Sequence, residues 1–102
     1  MPIRTQIVER RIEIPDSVRT KVEDRVAKLD EFYDRISACV VTIEGHGIHH
    51  RKGRHSVHVA LSVPRRRIVV NHAGDVSLDV AVREAFNAAD RRLDDYARKL
   101  RG

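Results

Sequence analysis

Apolar positions along this chain follow two spacings, every second residue and every third to fourth, and the switches between them delimit its elements. Residues 3–8 (IRTQIV) alternate and predict a first strand, with a turn through Glu9-Arg10-Arg11. Ile12 and Ile14 lead to Pro15, after which Asp16 or Ser17 is placed to cap a helix. Val18, Val22, Val26, Leu29 and Tyr33 then recur at helical spacing, within roughly 80° of one another on a wheel. From Ile36 to Glu44 the pattern is strand-like again, until Gly45 and Gly47 break it. A loop runs from His46 to Arg54. Val57, Val59, Leu61 and Val63 alternate strictly with Ser56, His58, Ala60 and Ser62, the plainest strand in the chain. Pro64 turns the chain, and Arg67 to His72 return as a fourth strand. Ser77 or Asp75 caps a last helix whose apolar stripe runs from Leu78 to Leu100, ~24 residues and ~36 Å long.

The order is therefore β-α-β-β-β-α, an α+β domain in which two amphipathic helices pack on one face of a four-stranded sheet. The other face is left open to solvent or a partner. A chain of 102 residues, 41% apolar, fits one domain over residues 1–102 with a single modest core. Gly/Ser tracts, low-complexity linkers and internal repeats are absent from the sequence.

Charge changes the picture. Six of the 20 bases and none of the 15 acids lie between residues 45 and 74, which leaves 14 bases against 15 acids elsewhere. The bases are Arg51, Lys52, Arg54, Arg65, Arg66 and Arg67. All the histidines, His46, His49, His50, His55, His58 and His72, share the window. A segregated basic surface on a chain of pI about 10 points to a polyanion partner, above all a phosphate backbone. A membrane span needs ~20 consecutive apolar residues, and the sequence has no such run and no apolar signal-peptide core. Cys39 stands alone, so a cytoplasmic location is expected.

The helices carry further bases. Lys21, Arg25 and Lys28 fall in one row of the first helix. On the last, Arg83, Asn87, Arg91 and Arg98 cluster away from the apolar stripe, with Arg92 and Lys99 further round. Asp90, Asp94 and Asp95 are interleaved among them and dilute their pull on phosphate. The four aromatics, Phe32, Tyr33, Phe86 and Tyr96, lie on or beside helices. A sheet without aromatics offers no base-stacking platform, so RNA would be read by backbone and shape.

Two other chemistries are weighed. Five histidines between His46 and His58 invite a metal, but their spacing matches no standard zinc signature and Arg51, Lys52 and Arg54 would repel a cation. The preferred reading makes them pH-tunable hydrogen-bonding partners for phosphate and ribose. For catalysis, the sequence offers no Gly-rich phosphate loop, nucleophile elbow or paired carboxylates. Cys39, inside a strand pattern, reads as a small buried residue. No enzyme activity, cofactor, metal or small-molecule substrate is expected.

Residues Arg25 to Ile36 (RVAKLDEFYDRI) and Asp79 to Tyr96 (DVAVREAFNAADRRLDDY) resemble the two helices of the ribosome hibernation-promoting factors, the family that includes the ribosome-associated inhibitor, or ribosomal subunit interface protein. His49 to Gly53 (HHRKG) and Val57 to Pro64 (VHVALSVP) are similar to one proteobacterial branch. The resemblance implies a β-α-β-β-β-α fold like a double-stranded-RNA-binding domain. It also implies binding to the small ribosomal subunit, in the channel used by mRNA and tRNA, and inhibition of translation in stationary phase or stress. Arg25, Lys28, Arg91, Arg92, His50, Arg51 and Lys52 match, or lie beside, the family's basic positions. The expected rRNA-binding set adds Lys21, His49, Arg54, Arg65, Arg66, Arg67 and Arg83. Ala88 stands where Lys is common, Asp79 where an aromatic is, and Ser77 where the cap is usually Asp, so the second helix is less basic than the family pattern. Long-form members carry a C-terminal domain that pairs ribosomes; an end at Gly102 leads to the expectation of a short form, with a ribosome-dimerising partner protein left open. The alternatives are a general structured-RNA-binding protein of the same fold and a His-loop metal-binding protein.

Overall fold

The computed structural model describes residues 3–45, 55–75 and 77–101. Its elements are β1 (Arg4–Arg10), α1 (Asp16–Phe32), β2 (Ala38–Glu44), β3 (His55–Val63), β4 (Arg66–Asp75) and α2 (Leu78–Arg101). The sheet order is β1-β2-β3-β4. β1 pairs parallel with β2, so the chain must cross over between them, and α1 is that crossover. β2 with β3 and β3 with β4 are antiparallel. The predicted order and layering hold; several boundaries move.

β1 continues through Arg10, where a turn was expected, because Glu9 and Arg10 stay in register with Ile43 and Glu44. The turn falls on Arg11, at φ 59. Gly45 makes that turn possible: a Cβ there would stand 2.7 Å from the Arg11 carbonyl oxygen, and its N–H donates to the Arg10 carbonyl at 2.9 Å. Asp16 and Ser17 do not cap α1. Pro15 holds the N-cap position, extended at φ −70 and ψ 159, and its carbonyl accepts from the N–H groups of Val18 and Arg19. Proline's fixed φ and missing N–H suit a helix boundary, which leaves Asp16 in the first turn, where its charge opposes the helix dipole. Glu9 reaches across instead, accepting from the Ile14 N–H at 2.9 Å and from Arg19 at 3.0 Å.

Ser77 caps α2 as expected: its Oγ accepts from the Val80 N–H and its carbonyl from that of Ala81. Between β3 and β4 the turn is Pro64-Arg65, with Arg65 at φ 65. Proline first and a positive φ second is the type II pattern.

One sheet face and two helix stripes make the core. Cys39, Val41, Ile43, Val57, Val59, Leu61, Val63, Ile68 and Val70 point inward against Val18, Val22, Val26 and Leu29 of α1 and Ala85, Phe86, Ala89 and Leu93 of α2. Among the described residues no buried side chain is polar or charged apart from tyrosine. Tyr33 and Tyr96 meet edge to face at 5.7 Å, and the Tyr96 hydroxyl donates to the Pro64 carbonyl at 2.8 Å. That bond ties the β3–β4 turn to α2.

Candidate nucleic-acid interface

α1 and α2 lie side by side on the sheet, and their facing surfaces form a furrow. Two hollows of about 380 and 310 Å³ meet there at Lys28. The 3.6-residue period brings Lys21, Arg25 and Lys28 to one wall and Arg83 and Arg91 to the other. Five bases of the expected set are thus gathered in one place.

Acids share that place, and they decide what the bases can do. Lys21 Nζ lies 3.1 Å from Asp79. The Arg25 guanidinium donates to Asn87 Oδ1 at 2.9 Å and to Asp90 Oδ2 at 3.0 Å, and it sits 5.6 Å from the centre of the Phe86 ring. Only 20% of its side chain is exposed. Arg25 therefore fastens α1 to α2 by charge-assisted bonds and a cation–π contact. Arg83 lies 4.0 Å from Glu84, and Arg98 is turned onto Asp94 and Asp95. Lys28 and Arg91 have no ion pair among the described residues and remain available to an incoming anion. Arg92 faces away from the furrow, donating to the Val69 carbonyl of β4 at 3.3 Å.

The Pro64 turn sets Arg65, Arg66 and Arg67 exposed at one end of the sheet, again without an ion pair among the described residues. His49, His50, Arg51, Lys52 and Arg54 lie outside the described residues, as does His46. His55 and His58 belong to β3, and His58 Nδ1 is hydrogen-bonded to Asn71 Oδ1 across the ladder. Among the described residues no three His, Cys, Asp or Glu side chains converge as a metal-ligand set. Burial pushes the Cys39 thiol up to about 12, which keeps it protonated near neutral pH and unsuited to nucleophilic chemistry.

The balance of the two layers was not foreseen. Together α1 and α2 contain ten bases and ten acids; the rest of the sequence holds the other ten bases with only five acids. The whole net charge of +5 therefore lies off the helices. Arg4 and Arg10 were also missed. Both are exposed, and their register partners Ala38 and Glu44 lie on the sheet face away from the helices. The signal was parity: both stand an odd number of residues from Ile3 and Ile7, the apolar positions of the strand that pack on the core.

A family model described as Sigma 54 modulation protein / S30EA ribosomal protein matches residues 5–101. Over 96 residues the chain is 26% identical to a ribosome hibernation promotion factor of Deinococcus radiodurans. That match takes in 94% of this chain and 46% of the relative, so the chain spans about half the length of that protein. A ribosomal subunit interface protein from Coxiella burnetii superposes with a TM-score of 0.80 at 15% identity, covering 93% of this chain and 98% of that one. The N-terminal domain of Protein Y from Thermus thermophilus gives 0.75 at 22% identity, with 94% and 99% covered. These two solved structures share the fold.

Proposed function

Because the chain belongs to the Sigma 54 modulation protein / S30EA ribosomal protein family, we propose that it is a non-catalytic ribosome-binding factor. It binds the small ribosomal subunit through rRNA, occupies the channel used by mRNA and tRNA, and inhibits translation in stationary phase or stress. The observation that carries this reading is the acid-free stretch from Gly45 to Gly74, which supplies the positive excess of a chain without strand aromatics. Such a surface suits phosphate backbone and RNA shape.

Inhibition then needs no chemistry. The domain excludes mRNA and tRNA by occupying their place, and its affinity comes from bases that displace condensed counterions. Arg51, Lys52, Arg54, Arg65, Arg66 and Arg67 clamp phosphates directly, with His49 and His50 beside them. Lys28, Arg83 and Arg91 meet the backbone along the helix furrow, while Lys21 and Arg25 reach it only in exchange for Asp79 and Asp90. Arg92 contributes from the β4 edge. Its place of action is the cytoplasm, and a ribosome-dimerising partner protein fits beside it. No helix of the described residues is long and apolar enough to cross a membrane.

Co-sedimentation with purified small subunits tests the proposal. Binding at low salt that falls steeply as salt rises is expected. Failure to pellet with subunits at physiological salt would overturn it. The neutral helices and the lack of a stacking platform also favour a general structured-RNA binder. Competition separates the two, because such a protein would bind a bare RNA duplex as tightly as it binds subunits.

A further inference from the structure

We propose that the sheet face turned away from the helices is a second grip on RNA backbone, with Arg4, Arg10 and Arg67 as its phosphate clamps. The proposal rests on reading the chain as an rRNA-binding protein, and it adds a surface opposite the helix furrow.

The ladder fixes the composition of this face. Register sets Arg4, Ala38, Ser62 and Arg67 in one row across all four strands. The next row is Gln6, Val40, Ala60 and Val69, and the third is Val8, Thr42, His58 and Asn71. Arg10 and Glu44 begin the fourth. Strand spacing puts the Cα atoms of Arg4 and Arg67 roughly 14 Å apart, and six residues of rise put Arg10 roughly 20 Å from Arg4. Three guanidinium groups thus frame a shallow field of small side chains. Ala38, Ala60 and Ser62 let a sugar–phosphate backbone approach closely. Ser62, Thr42 and Gln6 offer hydrogen-bonding groups suited to phosphate and 2′-hydroxyl oxygens. His58 and Asn71, hydrogen-bonded to each other, add polar groups to the same face.

Charge selects the occupant. All three arginines are exposed, and none has an ion pair among the described residues. Glu44 is the one acid in these rows, beside Arg10. Protection of edge strands against pairing would be served by charges of either sign, whereas these three are all arginine, the side chain that forks onto phosphate. A lipid surface would need large apolar anchors, and the valines Val8, Val40 and Val69 are the largest this face presents. Without a Phe, Tyr or Trp it has no broad ring platform for successive bases, so the grip is on backbone and largely independent of sequence.

The test is Arg4→Ala/Arg10→Ala/Arg67→Ala in the full chain, measured against purified bacterial small ribosomal subunits over a salt titration. The expected result is an affinity loss of about tenfold or more, with a salt slope shallower by about one per arginine removed. The matching triple lysine variant recovers most of the affinity. Wild-type affinity in the alanine triple overturns the proposal, as does a loss seen only with anionic vesicles or a protein partner. If the wild-type protein ignores small subunits, the ribosomal reading fails, and a bare RNA duplex replaces them as probe. The sheet grip then stands if the duplex binds wild type but not the triple, and falls if it binds both or neither. Should the alanine triple unfold, protection of the three arginines from a dicarbonyl reagent in the wild-type complex decides: shielding supports the grip, and unchanged labelling overturns it.

Discussion

The two layers of this domain use similar numbers of bases to different ends. On the helices, Lys21, Arg25 and Arg98 are drawn onto Asp79, Asp90 and the Asp94–Asp95 pair, and ten bases are balanced by ten acids. On the sheet and its turns, Arg4, Arg10, Arg65, Arg66 and Arg67 are exposed without an ion pair among the described residues. A count of arginines and lysines therefore says little about affinity for phosphate. What matters is whether each cation must give up an acid before it can take an anion, since that exchange cancels most of the gain.

The contrast breaks most readily in the acid-free stretch of the sequence. Arg51→Ala/Lys52→Ala/Arg54→Ala is expected to weaken binding to small subunits by tenfold or more, roughly 1.4 kcal/mol. Lys21→Ala/Arg98→Ala, which removes helix cations already held by acids, should cost less than about threefold. Equal losses in co-sedimentation would mean that the helix acids do not screen their neighbours. A second experiment separates fastening from binding within the furrow. Arg25→Ala removes hydrogen bonds to Asn87 and Asp90 and the contact with Phe86, so urea unfolding should show a loss of about 1–2 kcal/mol. Lys28→Ala, three residues on, should leave stability within about 0.5 kcal/mol while still lowering affinity. If Arg25→Ala unfolds at the wild-type midpoint, its cross-helix bonds contribute nothing net.

The difference between those two residues shows what the pattern of the chain could carry. Alternation from Ser56 to Val63 and the stripe from Val18 to Leu29 encode burial residue by residue, so β3, α1 and their inward faces were legible. The end of β1 was not, because an edge strand packs through Ile3 and Ile7 while its last residues are held by register with β2. Nor was the fate of Arg25. Its row with Lys21 and Lys28 follows from helical spacing, but Asn87 and Asp90 lie 62 and 65 residues away in sequence, and only packing brings them within reach. The acid-free window was plain in composition. That all the net charge stands off the helices required knowing where each helix begins and ends.

The two faces of the sheet differ as sharply as the two layers, and Cys39 reports on the inner one. Its side chain is fully enclosed, and burial pushes the thiol up to about 12. The sign follows from proton counts. Above the ordinary thiol value, ~8.5, the unfolded chain releases this proton while the folded chain keeps it until about 12. The unfolded state then binds fewer protons, so stability is complete below that ordinary value and falls as pH rises above it. Cys39→Ala lacks this dependence and pays a pH-independent cavity cost. The stability gap between wild type and variant should therefore narrow by about 0.8 kcal/mol between pH ~7 and ~9. A gap that stays constant in paired denaturation curves would place the thiol in contact with water and weaken the picture of a dry inner face.

The smallest effect tests the cause of the contrast itself. If acids hold the helix cations away from phosphate, removing them should improve binding. Asp79→Asn/Asp90→Asn keeps side-chain size and hydrogen-bonding capacity while releasing Lys21 and part of the hold on Arg25. The pairs are at or near the surface, so lost ion pairing should cost under about 1 kcal/mol each. Affinity for small subunits at low salt should rise about threefold, with a steeper salt slope as more phosphates are engaged. The same pair of changes combined with Lys21→Ala and Arg25→Ala should lose most of that gain, because the benefit is routed through those two cations. A gain that survives their removal would point to relief of general repulsion from the two carboxylates, and the neutral helices would then be a matter of summed charge and not of pairing.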